Sequence, residues 1–480
     1  MVKYVSTRGN APVLDFDDVL LAGLARDGGL YLPETWPRFS ADEIRALRGL
    51  PYAELATRVM APFVAGCLTE AELGDLVTAS YAGFDHPAVA PLRQIGPDQW
   101  VMELFHGPTL AFKDYALQLV GRLFDHVLSA KGRRVTIVGA TSGDTGSAAI
   151  EACRDCDAVD VVILHPKGRV SEVQRRQMTT VLAGNVRNLA VEGTFDDCQD
   201  LVKALFNDHA FRDEVSLSAV NSINWARVMA QIAYYFAAGV ALGAPDVPLA
   251  FAVPTGNFGN VFAGYAARRM GLPVERLVVG SNHNDILTRF FETGVMTAEG
   301  VVPTLSPSMD IQVSSNFERL LWEYLDRDGR AVDALLAEFR RTGRMAAPQG
   351  AWSAMGELFE GHRFDDDATL ELMRRMRQAT GELLDPHSAV GVGAGLKARL
   401  ARPAPLVALA TAHPAKFPDA VERATGHRPL LPPHLADLLE RPERVEVVAN
   451  DTASLKDYVR RFAGRTRTTA TGTMATGKPA

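Results

Sequence analysis

From about residue 134 onward, short and almost wholly apolar runs alternate with stretches whose apolar residues recur at helical spacing. The runs at 135–138, 159–164 and 186–191 predict strands, and helices are expected behind them over 147–154, 171–182 and 196–206. A second series of apolar runs lies at 249–253, 277–279 and 406–409. Such runs read as strands buried on both faces, and their alternation with helices predicts parallel sheets joined by crossovers. The fold class is α/β. Further helices are expected over 224–242, 317–325 and 370–380. Residues 1–95 lack the strand–helix rhythm and carry helix-forming stretches at 41–50 and 52–63, which predicts a mostly helical N-terminal extension packed on the α/β body.

At 480 residues the chain is too long for a single core and is expected to form two or three domains. The last stretch, 464–480, is mostly Thr, Ala, Gly and Arg with almost no large apolar side chain, so it is expected to be disordered. Apolar residues make up 47% and charged residues 22%, as in ordinary soluble proteins. A net charge of -7 argues against a nucleic-acid partner. No apolar run approaches the roughly 18–20 residues that span a bilayer, so no membrane role is expected. The opening Met1-Val2-Lys3-Tyr4-Val5-Ser6-Thr7 carries no secretory or transit pattern, and the expected location is the cytoplasm. Four cysteines agree with a reducing compartment. Cys153 and Cys156 form a C-x-x-C pair inside a helical pattern with no second ligand pair, and read as buried structural thiols.

Four segments carry chemistry. The first is Phe105-His106-Gly107-Pro108-Thr109-Leu110-Ala111-Phe112-Lys113, in which one lysine follows small and apolar residues and opens a helical run. Held away from water, such an amine loses its proton and can form a Schiff base; a surface lysine opening a helix fits the same local pattern. The second is Pro254-Thr255-Gly256-Asn257-Phe258-Gly259-Asn260, between the strand at 249–253 and a helix expected over 261–270. Its amides and the helix dipole suit a phosphate, although a tight turn with no ligand has the same look. The third is Gly139-Ala140-Thr141-Ser142-Gly143-Asp144-Thr145-Gly146-Ser147, a second strand-to-helix turn that suits a carboxylate or simply caps a helix. It lacks the G-x-S-x-G elbow of a serine nucleophile. The fourth is Leu409-Ala410-Thr411-Ala412-His413-Pro414-Ala415-Lys416-Phe417, at the carboxyl end of a strand, where ligands bind in parallel sheets; a Thr411 that faces a cofactor and one that simply satisfies the strand end fit this pattern equally.

In this order, the four segments resemble the threonine synthases, pyridoxal-phosphate enzymes of fold type II. Tyr4-Val5-Ser6-Thr7-Arg8-Gly9, Gly23-Leu24-Ala25-Arg26-Asp27-Gly28-Gly29-Leu30-Tyr31-Leu32-Pro33 and Val220-Asn221-Ser222-Ile223-Asn224-Trp225-Ala226-Arg227 are similar to markers of the family's longer branch. The resemblance covers roughly residues 1–460. It implies an extension over 1–95, an α/β lobe over 96–245 with the Schiff-base lysine and carboxylate loop, and a second over 246–430 with the phosphate loop. Both lobes would carry helices on both faces of parallel or mixed sheets, and a packing segment would follow over 431–463. Lys113 would join pyridoxal 5'-phosphate as a Schiff base. Gly256, Asn257, Phe258, Gly259 and Asn260 would surround the cofactor phosphate, and Thr411 would meet the pyridine nitrogen. Thr141, Ser142, Gly143, Asp144 and Thr145 would hold the substrate carboxylate. The implied reaction turns O-phospho-L-homoserine and water into L-threonine and phosphate, without a metal.

The substrate phosphate needs its own partner, and Arg227 with Ser222 and Asn224 is expected to supply it, since guanidinium pairs with phosphate. Asn282, His283 and Asn284 are a second possibility. A related phospho-lyase or hydroxyamino-acid dehydratase releasing 2-oxobutyrate would share the same parts, and the family's longer branch suggests a monomer. His106, polar and close to Lys113, fits a packed structural role at least as well as a chemical one.

Overall fold

The computed structural model describes residues 2–141, 143–218, 221–401 and 403–473. The chain divides into two compact units, one of residues 1–116 and 222–431, the other of 117–221 and 432–480. The division differs from the expected cuts near 95, 245 and 430. Residues 96–116 and 222–245 belong with the later lobe, because Gln99–Glu103 pairs with Leu406–Ala410 and Trp225–Ala241 packs on Gly259–Arg269. Both partners are distant in sequence, so no local signal marks the boundary.

The larger unit is built on a six-stranded sheet with the order Phe359–Arg363, Val274–Ser281, Leu249–Pro254, Leu406–Ala410, Gln99–Glu103, Leu92–Gly96. All pairs are parallel except the last, a hairpin at the edge. The central strands Leu249–Pro254 and Leu406–Ala410 are buried throughout, as their apolar runs require. The hairpin escaped the apolar pattern because Leu92–Gly96 contains no buried residue. Pro386–Leu396 packs on the sheet unusually closely: a Cβ on Gly391 would lie 2.7 Å from Pro254 Cδ. Because the neighbouring strands run parallel, the ends of Leu249–Pro254, Val274–Ser281 and Leu406–Ala410 emerge on one edge.

The first 81 residues dock on this unit. They contain the helices Phe16–Ala22, Ala41–Arg45, Tyr52–Val64 and Glu70–Tyr81, and the antiparallel pair Tyr4–Ser6 and Tyr31–Pro33. Ser40 with Glu43 and Thr69 with Glu72 form capping boxes that start two of the helices. Fully buried Trp225 anchors the extension, its ring meeting Tyr4, Trp36 and Phe63 at centroid distances of 6.0, 5.9 and 5.5 Å.

The smaller unit holds an all-parallel sheet with the order Glu446–Val448, Val186–Val191, Val159–Pro166, Val135–Ala140, Leu217–Ser218. Asp144–Cys153, Glu172–Thr179 and Phe195–Asn207 are its crossover helices. Cys153 and Cys156 are buried free thiols, and Cys156 Sγ lies 3.5 Å from the Gly121 carbonyl oxygen. One expectation fails here. Residues 464–473, expected to be disordered, continue the helix Thr452–Thr473; residues 474–480 lie outside the described residues. Composition argued against burial, but extending an existing helix adds a hydrogen bond per residue without a new nucleation cost. Among the described residues no helix is long and apolar enough to cross a membrane.

Candidate active site

Lys113 begins the helix Lys113–Ala130 and is only 8% exposed. The segment before it is sewn to the end of Leu406–Ala410. The Leu104 amide donates to the Ala410 carbonyl at 2.9 Å, the Phe112 amide to Thr411 at 2.9 Å, and the His413 amide to Leu110 at 3.0 Å. Ala111 and Ala412 form an antiparallel bridge. Thr411 therefore stands across this ladder from the residue before Lys113. Leu110 takes a left-handed conformation, φ 62°, that turns the chain into the helix. Fully buried Asp114 locks the turn by accepting from the Thr109 amide at 2.8 Å and the Thr109 hydroxyl at 2.6 Å, while Lys416 Nζ donates to the Thr109 carbonyl at 2.7 Å. Gly107 has no room for a side chain, since a Cβ would fall 2.5 Å from Asp114 Cβ.

The turn 255–258 joins Leu249–Pro254 to the helix Gly259–Arg269 on the same sheet edge. Three observations fit it to a phosphate. Phe258 is held left-handed at φ 62°, and no side chain caps the helix it precedes, which leaves the first-turn amides for another acceptor. A Cβ on Gly256 would lie 3.0 Å from the Ser308 carbonyl oxygen and 3.2 Å from Met309 Cα, so the turn is covered by backbone. Asn260 is buried, its Oδ1 accepts from Tyr234 at 2.6 Å and Tyr235 at 3.0 Å, and its Nδ2 finds no partner among the described residues. A buried amide donor with no acceptor is costly unless a ligand supplies one. Asn257 is steadied through its carbonyl, which accepts the Asn316 side chain at 3.0 Å.

Thr411 is buried, and its amide donates to Ser388 Oγ at 2.9 Å. Arg227 is buried on the face of Trp225–Ala241 that also carries Gln231 and Tyr234, at helical spacings of four and three, and Tyr234 reaches Asn260. Burial pushes the Arg227 guanidinium down to about 10, against the opposing influence of Tyr234. Ser222 is half-buried, and its carbonyl oxygen would lie 3.8 Å from a Cβ on Gly259. Asn224 does not have a free side chain for substrate. Its Oδ1 caps the helix at the Ala226 amide, 3.0 Å, and its Nδ2 donates to the Leu20 carbonyl at 2.8 Å. Asn282 and Asn284 are likewise spent, both donating to Asp310 Oδ1, at 2.8 and 3.0 Å, to shape the loop leading to Ser308. His283 Nδ1 lies 3.0 Å from Arg363.

The turn at 141–145, expected to take a carboxylate, belongs to the smaller unit. Thr141 Oγ1 accepts from the Gly143 and Gly146 amides at 3.0 and 2.9 Å, and Gln174 Nε2 donates to Asp144 Oδ1 at 2.9 Å. Gly143 stands at φ 139°, and Thr145 is half-buried at the start of Asp144–Cys153. Ser142 lies outside the described residues.

His106 sits between two carboxylates, with Nδ1 2.9 Å from Asp85 and Nε2 2.8 Å from Glu103. Both nitrogens must donate, which calls for the imidazolium form. Burial acts to lower its pKa, but hydrogen bonds to Glu103 and Asp85, with their charges, outweigh it and the net shift is upward. His413 moves the other way, to about 4, through burial and then the charge of His106. The folded pKa of His106 thus lies above its unfolded value of about 6.5, so its stabilisation is complete below that value and lost as pH rises through the folded pKa. The thermal midpoint is expected to decline across that interval, and His106→Gln to flatten the decline. Equal pH slopes in the two proteins, measured by circular dichroism, would acquit His106.

Ser308, Asn316 and Asp385 were not legible as site residues. Asp385-Pro386 does read as a helix start, with a capping acid before a proline, but nothing local ties it to Thr411.

A buried lysine on the same sheet edge as a buried amide donor that no described residue satisfies is an arrangement suited to pyridoxal phosphate, and residues 86–356 match the family model described as pyridoxal-phosphate dependent enzyme. Fold and site together define a pyridoxal-phosphate enzyme of fold type II. Residues 3–81 match the model of the threonine synthase N terminus and residues 388–459 that of the threonine synthase C-terminal part. The threonine synthase of Pseudomonas aeruginosa is 56% identical over 97% of this chain and 99% of its own. That of Saccharomyces cerevisiae is 41% identical over 88% of each chain. The crystal structure of threonine synthase from Brucella melitensis with bound pyridoxal phosphate superposes with a TM-score of 0.95 at 53% identity, covering 96% of this chain and 100% of that one. The chain belongs to the threonine synthase family.

Proposed function

We infer that this protein converts O-phospho-L-homoserine and water into L-threonine and inorganic phosphate. The observation that carries this reading is the buried Lys113, 8% exposed and laddered to the segment bearing Thr411, in a chain related to threonine synthases along nearly its whole length. Pyridoxal phosphate, when bound, supplies an electron sink for charge developing on the substrate carbons beside the amine. Lys113 is assigned its covalent attachment. The Lys113 Nζ would take the proton from Cα and, once it has given that proton up, one from Cβ, after which phosphate leaves Cγ. The two protons would return to Cγ and Cα as the hydroxide of water adds at Cβ, and the other proton of that water goes to the departed phosphate. One amine on a flexible stem can serve successive neighbouring carbons.

The amides of Gly256–Asn260 and Asn260 Nδ2 are assigned the cofactor phosphate. Thr411 would offer the pyridine nitrogen a neutral hydroxyl rather than a carboxylate, which would leave the ring a weaker sink and disfavour transamination. The turn Thr141, Ser142, Gly143, Asp144 and Thr145 is assigned the substrate carboxylate. Arg227, with Ser222, is assigned the substrate phosphate, while Asn224 acts by capping the helix that carries Arg227. Four free thiols support a reducing, cytoplasmic setting, and a monomer is the assembly proposed.

The test is product analysis. Purified protein loaded with pyridoxal phosphate and given O-phospho-L-homoserine should release threonine and phosphate in equal amounts. If 2-oxobutyrate is the main product instead, the synthase reading is wrong and a phospho-lyase takes its place.

A further inference from the structure

Asp385 precedes the helix Pro386–Leu396 and is fully shut from solvent, yet none of the steps above uses it. Its carboxylate accepts the amides of His387 and Ser388 at 2.9 and 3.1 Å, which is an ordinary helix cap. It also accepts His387 Nδ1–H at 2.8 Å and the Ser388 hydroxyl. These last two bonds are not needed to start a helix, and each is passed on to the cofactor site.

With its hydrogen given to Asp385, Ser388 Oγ presents lone pairs, and the Thr411 amide donates to it at 2.9 Å. The Thr411 carbonyl in turn accepts the Phe112 amide, one residue before Lys113. With Nδ1 protonated toward Asp385, the neutral His387 ring has a bare Nε2, and this nitrogen accepts the Ser308 amide at 3.2 Å. Ser308 and Met309 supply the backbone that covers Gly256. One buried carboxylate therefore fixes a hydroxyl orientation and an imidazole tautomer, and the two branches end at Thr411 and at the backbone that covers Gly256.

We propose that Asp385 is a positioning residue for pyridoxal phosphate, aligning Thr411 through Ser388 and the Ser308–Met309 cover through His387. The proposal rests on the reading of Lys113, Thr411 and Gly256–Asn260 as the cofactor site. Asp385→Asn separates it from simple capping. Asparagine is as good a cap as aspartate, but it offers one acceptor oxygen where the two branches need two. Ser388→Ala leaves Asp385 in place and cuts only the Thr411 branch.

Apoenzyme of the wild type and both variants would be titrated with pyridoxal phosphate, following binding by fluorescence and the bound cofactor by its absorption maximum, with the apoenzyme melting temperature measured in parallel. Both variants should bind about tenfold more weakly or worse, the loss of about one buried hydrogen bond to a charged group. Ser388→Ala should also shift the absorption maximum, beyond the modest fall in melting temperature expected from the Thr411 amide that loses its acceptor. Wild-type affinity and absorption in both variants, or a lowered melting temperature as the sole change, would make Asp385 a helix cap and overturn the proposal. If wild-type apoenzyme takes up no pyridoxal phosphate, the cofactor reading falls first, and the proposal with it.

Discussion

Lys113→Ala is expected to lower threonine formation by on the order of ten-thousand-fold, the range reached when a positioned acid–base group is removed. The loss should come without unfolding. Alanine is the best helix former, and the turn before position 113 is held by the Thr109–Asp114 and Lys416–Thr109 bonds, neither of which uses the Lys113 side chain. The ladder from Leu104 to Phe112 is made of backbone and survives the change. The variant should therefore melt close to the wild type and lose the visible band of covalently held cofactor. Borohydride reduction of the wild type, followed by peptide mapping, should label position 113. A variant keeping more than about a hundredth of the wild-type rate would show that another group moves the protons.

Arg227→Gln is expected to raise KM for O-phospho-L-homoserine by about 10- to 100-fold, with a smaller change in kcat. One or two hydrogen bonds between a guanidinium and a dianion are worth roughly that much. Burial lowers the Arg227 pKa only to about 10, so the group still carries its charge near neutral pH. Glutamine keeps the helix and a polar head but removes the charge and the paired geometry. Arg227→Lys should recover part of the loss by restoring charge alone. Unchanged KM in the glutamine variant would remove Arg227 from the substrate site. A loss of pyridoxal phosphate affinity with normal KM would place it on the cofactor's phosphate instead.

Much of the secondary structure was legible because burial on both faces leaves a blunt record. Val186–Val191 was read to the residue, and Leu249–Pro254 and Leu406–Ala410 within one. These strands are apolar for reasons that local sequence carries. Leu92–Gly96 is not, since an edge strand with no buried residue leaves no such record. The site divides along the same line. Lys113 and the 256–260 turn stand out by their own neighbours: a lone cation after a Gly-Pro turn, and a glycine-rich link between a strand and a helix.

What the chain could not disclose by itself is any relation between distant segments. Asn224 looked like a substrate ligand and is a helix cap, because the Leu20 carbonyl that takes its amide comes from an element about two hundred residues away. Asp385 and Ser308 acquire meaning only through the folded sheet edge, where Ser388 links Asp385 to Thr411 and Ser308 covers Gly256. The amino-acid sequence determined which groups are able to do the chemistry and which runs must be buried, since both depend on residue type and short-range spacing. Tertiary structure decided which polar groups are already satisfied by one another and which, like Asn260 Nδ2, have no partner among the described residues. Hydrogen-bond satisfaction is settled by three-dimensional neighbours, and those are fixed only when the strands pair.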